Sequence, residues 1–160
     1  MNTGTNLKSG ISNLKSGKYI SKSLSDTEEF AESLLENLSP KDSGATVVGL
    51  CGDLGSGKTT FVQMIAKKLG IEERVQSPTF VILKTYKLQS KNYNLFVHID
   101  AYRLESGKDI ELLGFKEILD NPKVLMFVEW ASKVEEVLPK DYIKLEFSHL
   151  TEGERQIEIM

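Results

Sequence analysis

The sequence predicts an α/β fold, a three-layer sandwich in which a mixed, mostly parallel central sheet is flanked by helices. Three observations lead there. Short apolar runs rich in β-branched residues recur along the chain. Stretches with helical spacing alternate with them. One glycine-rich loop joins such a run to such a stretch, at Gly52-Asp53-Leu54-Gly55-Ser56-Gly57-Lys58-Thr59. That loop fits G-x-x-x-x-G-K-[ST], in which glycines let the backbone turn its N–H groups onto an anion. Lys58 would reach the β- and γ-phosphates of a nucleotide, and the Thr59 hydroxyl would sit on Mg²⁺.

Residues 1–18 stand apart. They are rich in Gly, Ser, Asn and Lys, carry the near-repeat Asn6-Leu7-Lys8-Ser9-Gly10 and Asn13-Leu14-Lys15-Ser16-Gly17, and contain no acidic residue. A flexible N-terminal extension is expected there, with no apolar core of a secretory signal. The folded domain is expected over 19–160. Tyr19-Ile20-Ser21 begins a first strand. Ser25 or Asp26 then opens a helix, with Glu28 and Glu29 available for a capping box. Phe30, Leu34, Leu35 and Leu38 form its apolar stripe, and Pro40 ends it.

Ala45-Thr46-Val47-Val48-Gly49-Leu50-Cys51 reads as a buried strand feeding the glycine loop. Phe61, Ile65 and Leu69, with Val62 and Ala66 beside them, predict the helix that follows, and Gly70 stops it. Phe80 to Tyr86 and Leu95 to Asp100 predict two strands joined by a short polar turn, hence an antiparallel hairpin. A helix is expected over 108–119 and the most buried strand over Val124 to Val128, ending in Glu129-Trp130. A short helix over 132–137 and strands near 142–148 and 154–159 complete the domain.

Composition narrows the class. The chain has 160 residues, 40% hydrophobic and 27% charged, with a net charge of −3. That length suits one domain, and that charge gives no support for overall electrostatic binding to nucleic acid. No apolar run approaches a membrane span. The single cysteine, Cys51, cannot form an internal disulfide and suits a cytoplasmic setting.

A phosphate loop needs an acidic partner to hold Mg²⁺ directly or through water. Asp100 and Glu129 each end an apolar strand and are the candidates. One would position the metal while the other organises the attacking water. Ligands of such sheets bind at the strands' carboxyl ends, so parallel strands would bring both acids to the loop. His98 shares a strand face with Asp100 and is either a neighbour of the site or a core histidine. Arg103 suits an anion or a structural salt bridge, and Trp130 suits a cover over the site or the core. His149 has no motif around it and is read as a surface residue. Ser77-Pro78-Thr79 is either a loop sensing the γ-phosphate or an ordinary turn. No Asn-Lys-x-Asp segment occurs, which weighs against a GTPase. The three arginines, Arg74, Arg103 and Arg155, form no arginine-rich lid. That leaves partner-coupled ATP hydrolysis ahead of a small-molecule kinase, with a nucleotide-binding regulator as a third reading.

Four segments in order now define a resemblance: the loop from Gly52 through Thr60-Phe61, Ser77-Pro78-Thr79-Phe80, His98-Ile99-Asp100-Ala101-Tyr102-Arg103-Leu104, and Val128-Glu129-Trp130. Together with Glu111-Leu112-Leu113-Gly114-Phe115 they resemble the TsaE (YjeE) family of bacterial ATPases of transfer-RNA threonylcarbamoyladenosine synthesis. The resemblance implies a phosphate-loop ATPase fold, ATP and Mg²⁺ as ligands, and weak hydrolysis by a protein that is monomeric alone. It implies TsaB and TsaD as partners, with tRNA reached through their complex. It implies that Lys58 holds phosphate, that Thr59 and Glu129 ligate Mg²⁺, and that Asp100 is the strand-end acid. Gly52, Asp53, Leu54, Gly55, Ser56, Gly57, Lys58, Thr59 and Thr60 would line the nucleotide. Thr27 would approach it, Ser77-Pro78-Thr79 would respond to it, and Trp130 would neighbour the site. Ala101 and the Ala131-Ser132 pair depart from the family's usual residues, and neither touches the phosphate chemistry.

Overall fold

The computed structural model describes residues 16–76 and 82–160. The expected extension therefore lies outside the described residues as far as 15, and so do Ser77-Pro78-Thr79, Phe80 and Val81. The described chain runs β1 (Gly17–Ser21), α1 (Leu24–Asn37), β2 (Thr46–Gly52), α2 (Lys58–Lys68), β3 (Leu83–Lys87), β4 (Leu95–Asp100), α3 (Lys108–Glu111), α4 (Phe115–Leu119), β5 (Val124–Glu129), β6 (Ile143–Thr151) and β7 (Glu154–Ile159). Two 3-10 turns, Ala131–Lys133 and Glu135–Val137, stand where a short helix was expected.

The seven strands form one sheet in the order β1-β7-β6-β2-β5-β4-β3. Its centre, β6-β2-β5-β4, is parallel. Its flanks are antiparallel, at β1-β7, β7-β6 and β4-β3. The sheet is thus evenly mixed rather than mostly parallel. The cause is local: the Thr151–Glu154 turn and the polar stretch between Lys87 and Leu95 are too short for the crossover that a parallel neighbour requires.

Side chains alternate between two cores. Val48, Leu50, Phe96, Leu125, Phe127, Leu145, Phe147, Ile157 and Ile159 face α1 and α2, meeting Phe30, Leu34, Phe61 and Ile65. Val47, Cys51, Val97, Ile99, Val124, Met126 and Val128 face the other way, against Ile110, Phe115, Val134 and Leu138. Along the first face two central strands turn from apolar to polar toward their carboxyl ends: Phe96-His98-Asp100 on β4 and Leu125-Phe127-Glu129 on β5. The period-2 alternation of the pleat therefore delivers both acids to the side on which α2 starts.

Two helices differ from expectation. Helix α1 starts earlier, capped by Ser23, whose Oγ accepts from the Asp26 N–H at 3.1 Å while Asp26 Oδ2 accepts from the Lys22 N–H at 2.8 Å. The reciprocal capping pair is Ser23 and Asp26, so Glu28 and Glu29 are not needed for it. The predicted helix over 108–119 is broken in two. Helix α3 ends at Glu111, capped by Leu112, and Gly114, the N-cap of α4, takes φ 73°, a left-handed conformation that turns the chain before α4. Among the described residues no helix is long and apolar enough to cross a membrane.

Candidate functional site

The loop between β2 and α2 sets the site. Gly52, Gly55 and Gly57 take φ of 131°, 78° and 102°, and Gly57 is the N-cap of α2 with no side-chain cap. The first N–H groups of α2 are therefore left without intrahelical partners at the mouth of the loop. A cleft of about 390 Å³ opens there, lined by Leu54, Gly55, Gly57, Lys58, Thr59, Thr60, Asp100, Tyr102, Glu129 and Trp130. Leu54 is 76% exposed at the loop's tip. Gly52, Asp53 and Ser56 belong to the same loop but do not line the cleft.

The acids come from two neighbouring parallel strands in register, Asp100 opposite Glu129. Both are buried, 8% and 2% exposed. Glu129 is held at both oxygens. Thr59 Oγ1 donates to Oε1 at 2.6 Å, and His98 Nε2 lies 2.6 Å from Oε2. When Glu129 is ionised it can only accept, and His98 then donates from Nε2. His98 is fully buried and its Nδ1 has no partner among the described residues. It is therefore both the core histidine and the neighbour of the site that the sequence left as alternatives. Asp100 Oδ1 accepts from the Tyr102 N–H at 3.0 Å.

Lys58 is folded back onto its own loop. Its ammonium donates to the Gly52 carbonyl at 2.6 Å, the Asp53 carbonyl at 2.8 Å and Ser56 Oγ at 3.3 Å. It lies 4.3 Å from the Trp130 ring centroid, within cation–π range. Burial pushes its pKa below the ordinary lysine value, against the opposing pull of Glu129, Asp100 and Asp53. Trp130 is half-buried and takes φ 58°, the one non-glycine in the left-handed region among the described residues. Its ring packs on Tyr102 with centroids 5.1 Å apart. The strained turn at the end of β5 thus aims an aromatic wall at the lysine.

The structure brings Lys58, Thr59, Asp100, Glu129 and Trp130 to one cleft. Thr27 is fully buried, its hydroxyl 2.7 Å from Ser21 Oγ and 3.3 Å from the Ser23 carbonyl, and it does not line that cleft. His149 is exposed. Tyr102 as a wall of the cleft was missed in sequence, because the turn after β4 that turns it back is not encoded in strand periodicity. The His98–Glu129 contact spans 31 residues, and its only sequence signal is the shared face of His98 and Asp100.

The donors fit a magnesium nucleotide. Thr59 Oγ1 and two carboxylates offer only oxygen, which Mg²⁺ requires, and few of its six positions, which suits an ion that keeps waters and takes phosphate oxygens. Among the described residues no group of three or more His, Cys, Asp or Glu side chains could hold a metal.

Fold and site together define a class: an α/β protein with a Gly-x-x-x-x-Gly-Lys-Thr loop between strand and helix, and two strand-end acids beside it. The chain belongs to the TsaE family. The family described as "Threonylcarbamoyl adenosine biosynthesis protein TsaE" matches residues 21–157. A Rickettsia felis protein named "tRNA threonylcarbamoyladenosine biosynthesis protein TsaE" is 36% identical over 136 residues, covering 84% of this chain and 74% of that protein. The Bacillus subtilis protein of the same name is 40% identical over 111 residues, covering 69% and 66%. The crystal structure of Bacillus subtilis YdiB superposes with a TM-score of 0.68 at 29% identity, over 92% of this chain and 87% of that one.

Proposed function

We propose that this chain is a Mg²⁺-dependent ATP hydrolase of the phosphate-loop, three-layer kind, required for threonylcarbamoyladenosine formation in tRNA. In this reading it is slow alone and is stimulated by a TsaB–TsaD complex that carries out the transfer. Its ATP cycle drives or resets that complex in the cytoplasm, and tRNA is reached only through the complex. One observation carries the nucleotide reading: the 2.6 Å contact of Thr59 with Glu129 at the mouth of the glycine loop. It joins a hydroxyl and a carboxylate where a phosphate-bound metal needs both. The shared family membership with proteins named for this modification supports the biological role.

The residues divide the work. The free N–H groups at the start of α2 bind the phosphates, helped by the helix's positive end. Lys58 exchanges the Gly52 and Asp53 carbonyls for β- and γ-phosphate oxygens. Thr59 and Glu129 hold Mg²⁺, which when bound offsets the charge on those phosphates. Asp100, fixed by the Tyr102 N–H, orients the attacking water, and His98 keeps Glu129 from rotating away. Trp130 and Tyr102 keep bulk water from one wall of the cleft.

The test is ATP turnover with and without purified TsaB–TsaD, using wild type and Lys58→Ala. Slow wild-type turnover that rises on adding the partners, with Lys58→Ala at background in both, is expected. Wild-type turnover that the partners leave unchanged overturns the reading.

A further inference from the structure

At the end of the sheet away from the phosphate loop, β1 and α1 enclose a second groove. Strand β1 is antiparallel to β7, and β7 to β6, the parallel neighbour of β2, so β1 and β2 run the same way. Gly17, the first residue of β1, therefore lies at the amino end of the parallel strands, while Gly52 and its loop lie at the carboxyl end. The groove has a volume of about 470 Å³. Tyr19, Phe30 and Ile159 floor it, and the exposed Ser16, Glu29 and Ser33 rim it. Gly17 leaves it open, since a Cβ there would meet nothing within 4 Å.

The helical wall of this groove is acidic. Helix α1 carries Asp26, Glu28, Glu29, Glu32 and Glu36 and no basic residue. Glu28 and Glu32 turn to α2, where they lie 3.8 and 3.3 Å from Lys68. Glu29, Ser33 and Glu36 follow one another at helical spacing on the groove side. Neither Glu29 nor Glu36 makes an ion pair among the described residues, although Lys18 also reaches the groove. An apolar floor beside unpaired carboxylates suits an apolar segment that carries positive charge.

The chain supplies such a segment at the groove itself. Ser16 stands on the rim, so the residues before it leave from there. Between 2 and 15 the only apolar residues are Leu7, Ile11 and Leu14, and the only charged ones are Lys8 and Lys15. Steps of four and three are the spacing of a single apolar stripe. Leu14 and Ile11 precede Ser16 by two and five residues, which at full extension reach about 7 Å and about 18 Å. A tether that short holds them at a millimolar effective concentration, so a small contact is enough to fill the groove. We infer that residues 7–15 bind this groove within the same chain, Ile11 and Leu14 over Tyr19, Phe30 and Ile159, with Lys15 beside Glu29. The family match begins at residue 21, so the segment and most of β1 lie outside the matched span. The inference is independent of the nucleotide reading, because groove and phosphate loop lie at opposite ends of the sheet.

A nitroxide attached to Ser12→Cys in the full chain, read as paramagnetic broadening of backbone amide signals, tests this. Cys51 is buried and stays unlabelled. The amides of Glu29, Ser33 and Ile159, all remote from residue 12 in sequence, are expected to lose most of their intensity. Those of Leu54 and Leu112, on other faces, should keep theirs. Ile11→Asn combined with Leu14→Asn should return the lost signals. Glu29→Lys should weaken the broadening, and adding Lys15→Glu should bring it back, a rescue that chance proximity of the label would not produce. All of these positions lie on the surface or before residue 16, so the remaining amide spectrum should match wild type. No broadening on α1, or broadening that the double asparagine variant leaves unchanged, overturns the inference. A mixture of isotope-labelled wild type with unlabelled nitroxide-bearing protein identifies a second copy as the occupant. Broadening in that mixture as strong as within one chain also overturns it.

Discussion

Replacing Glu129 with alanine and with glutamine separates what this side chain does for the fold from what it does for chemistry. The carboxylate is 2% exposed and accepts at both oxygens, from Thr59 and from the fully buried His98. Alanine removes both bonds, each worth about 1.5 kcal/mol at the low end for a charged partner. It also leaves His98 with both ring nitrogens partnerless, which adds a cost, while the relief of burying a carboxylate offsets it. The net loss is about 3 kcal/mol. For a domain of this size that lowers Tm by about 6–12 °C. Glutamine keeps the shape, and its amide can accept from Thr59 and donate to an unprotonated His98 nitrogen. It should cost about 1 kcal/mol, or about 2–4 °C. Thermal unfolding followed by circular dichroism, beside ATP turnover of the same samples, gives both readouts. Turnover should fall in both variants and stability mainly in alanine. Equal Tm in Glu129→Ala and wild type would refute the account of the buried network, as would glutamine being as damaging as alanine.

Lys58 and Gly114 give two further outcomes. Because burial lowers the Lys58 pKa, the unfolded chain binds its proton more readily than the folded one between the two values. Its contribution to stability should therefore climb as pH rises from the folded toward the ordinary lysine value. The difference between wild type and Lys58→Met in urea unfolding should follow that slope, and a flat difference from pH 7 to the alkaline limit would contradict it; nucleotide binding should be lost in Lys58→Met. Gly114→Ala should cost about 1 kcal/mol in the same assay. A Cβ there meets nothing within 4 Å, so only the left-handed φ of 73° resists it. A midpoint shift indistinguishable from zero would show that the break between α3 and α4 is not fixed by glycine.

How much was legible in the sequence follows from the range of each interaction. The loop from Gly52 to Thr59, the strand before it and the helix after it are encoded locally, by glycine, by β-branched runs and by helical spacing. The sequence also marked Asp100 and Glu129, because an acid closing an apolar strand is visible in a window of six residues. The helix start at Ser23 was misplaced by a few residues, since several polar side chains there can cap and only packing selects among them. The split at Gly114 was hidden because a lone glycine is tolerated inside helical patterns.

Strand order is where the sequence stops. Apolar runs say that Leu125 and Phe96 are buried but not which strands are neighbours, since any apolar partner satisfies them equally. Packing of the whole sheet decided that β4 and β5 lie side by side in register, with antiparallel strands on both flanks. It thereby set Glu129 between Thr59 and His98 and brought Arg155 against Gly57. Sequence determined which chemistry the chain carries; tertiary structure decided which groups meet, because those contacts join residues 31 to 98 positions apart and depend on geometry that no local window contains.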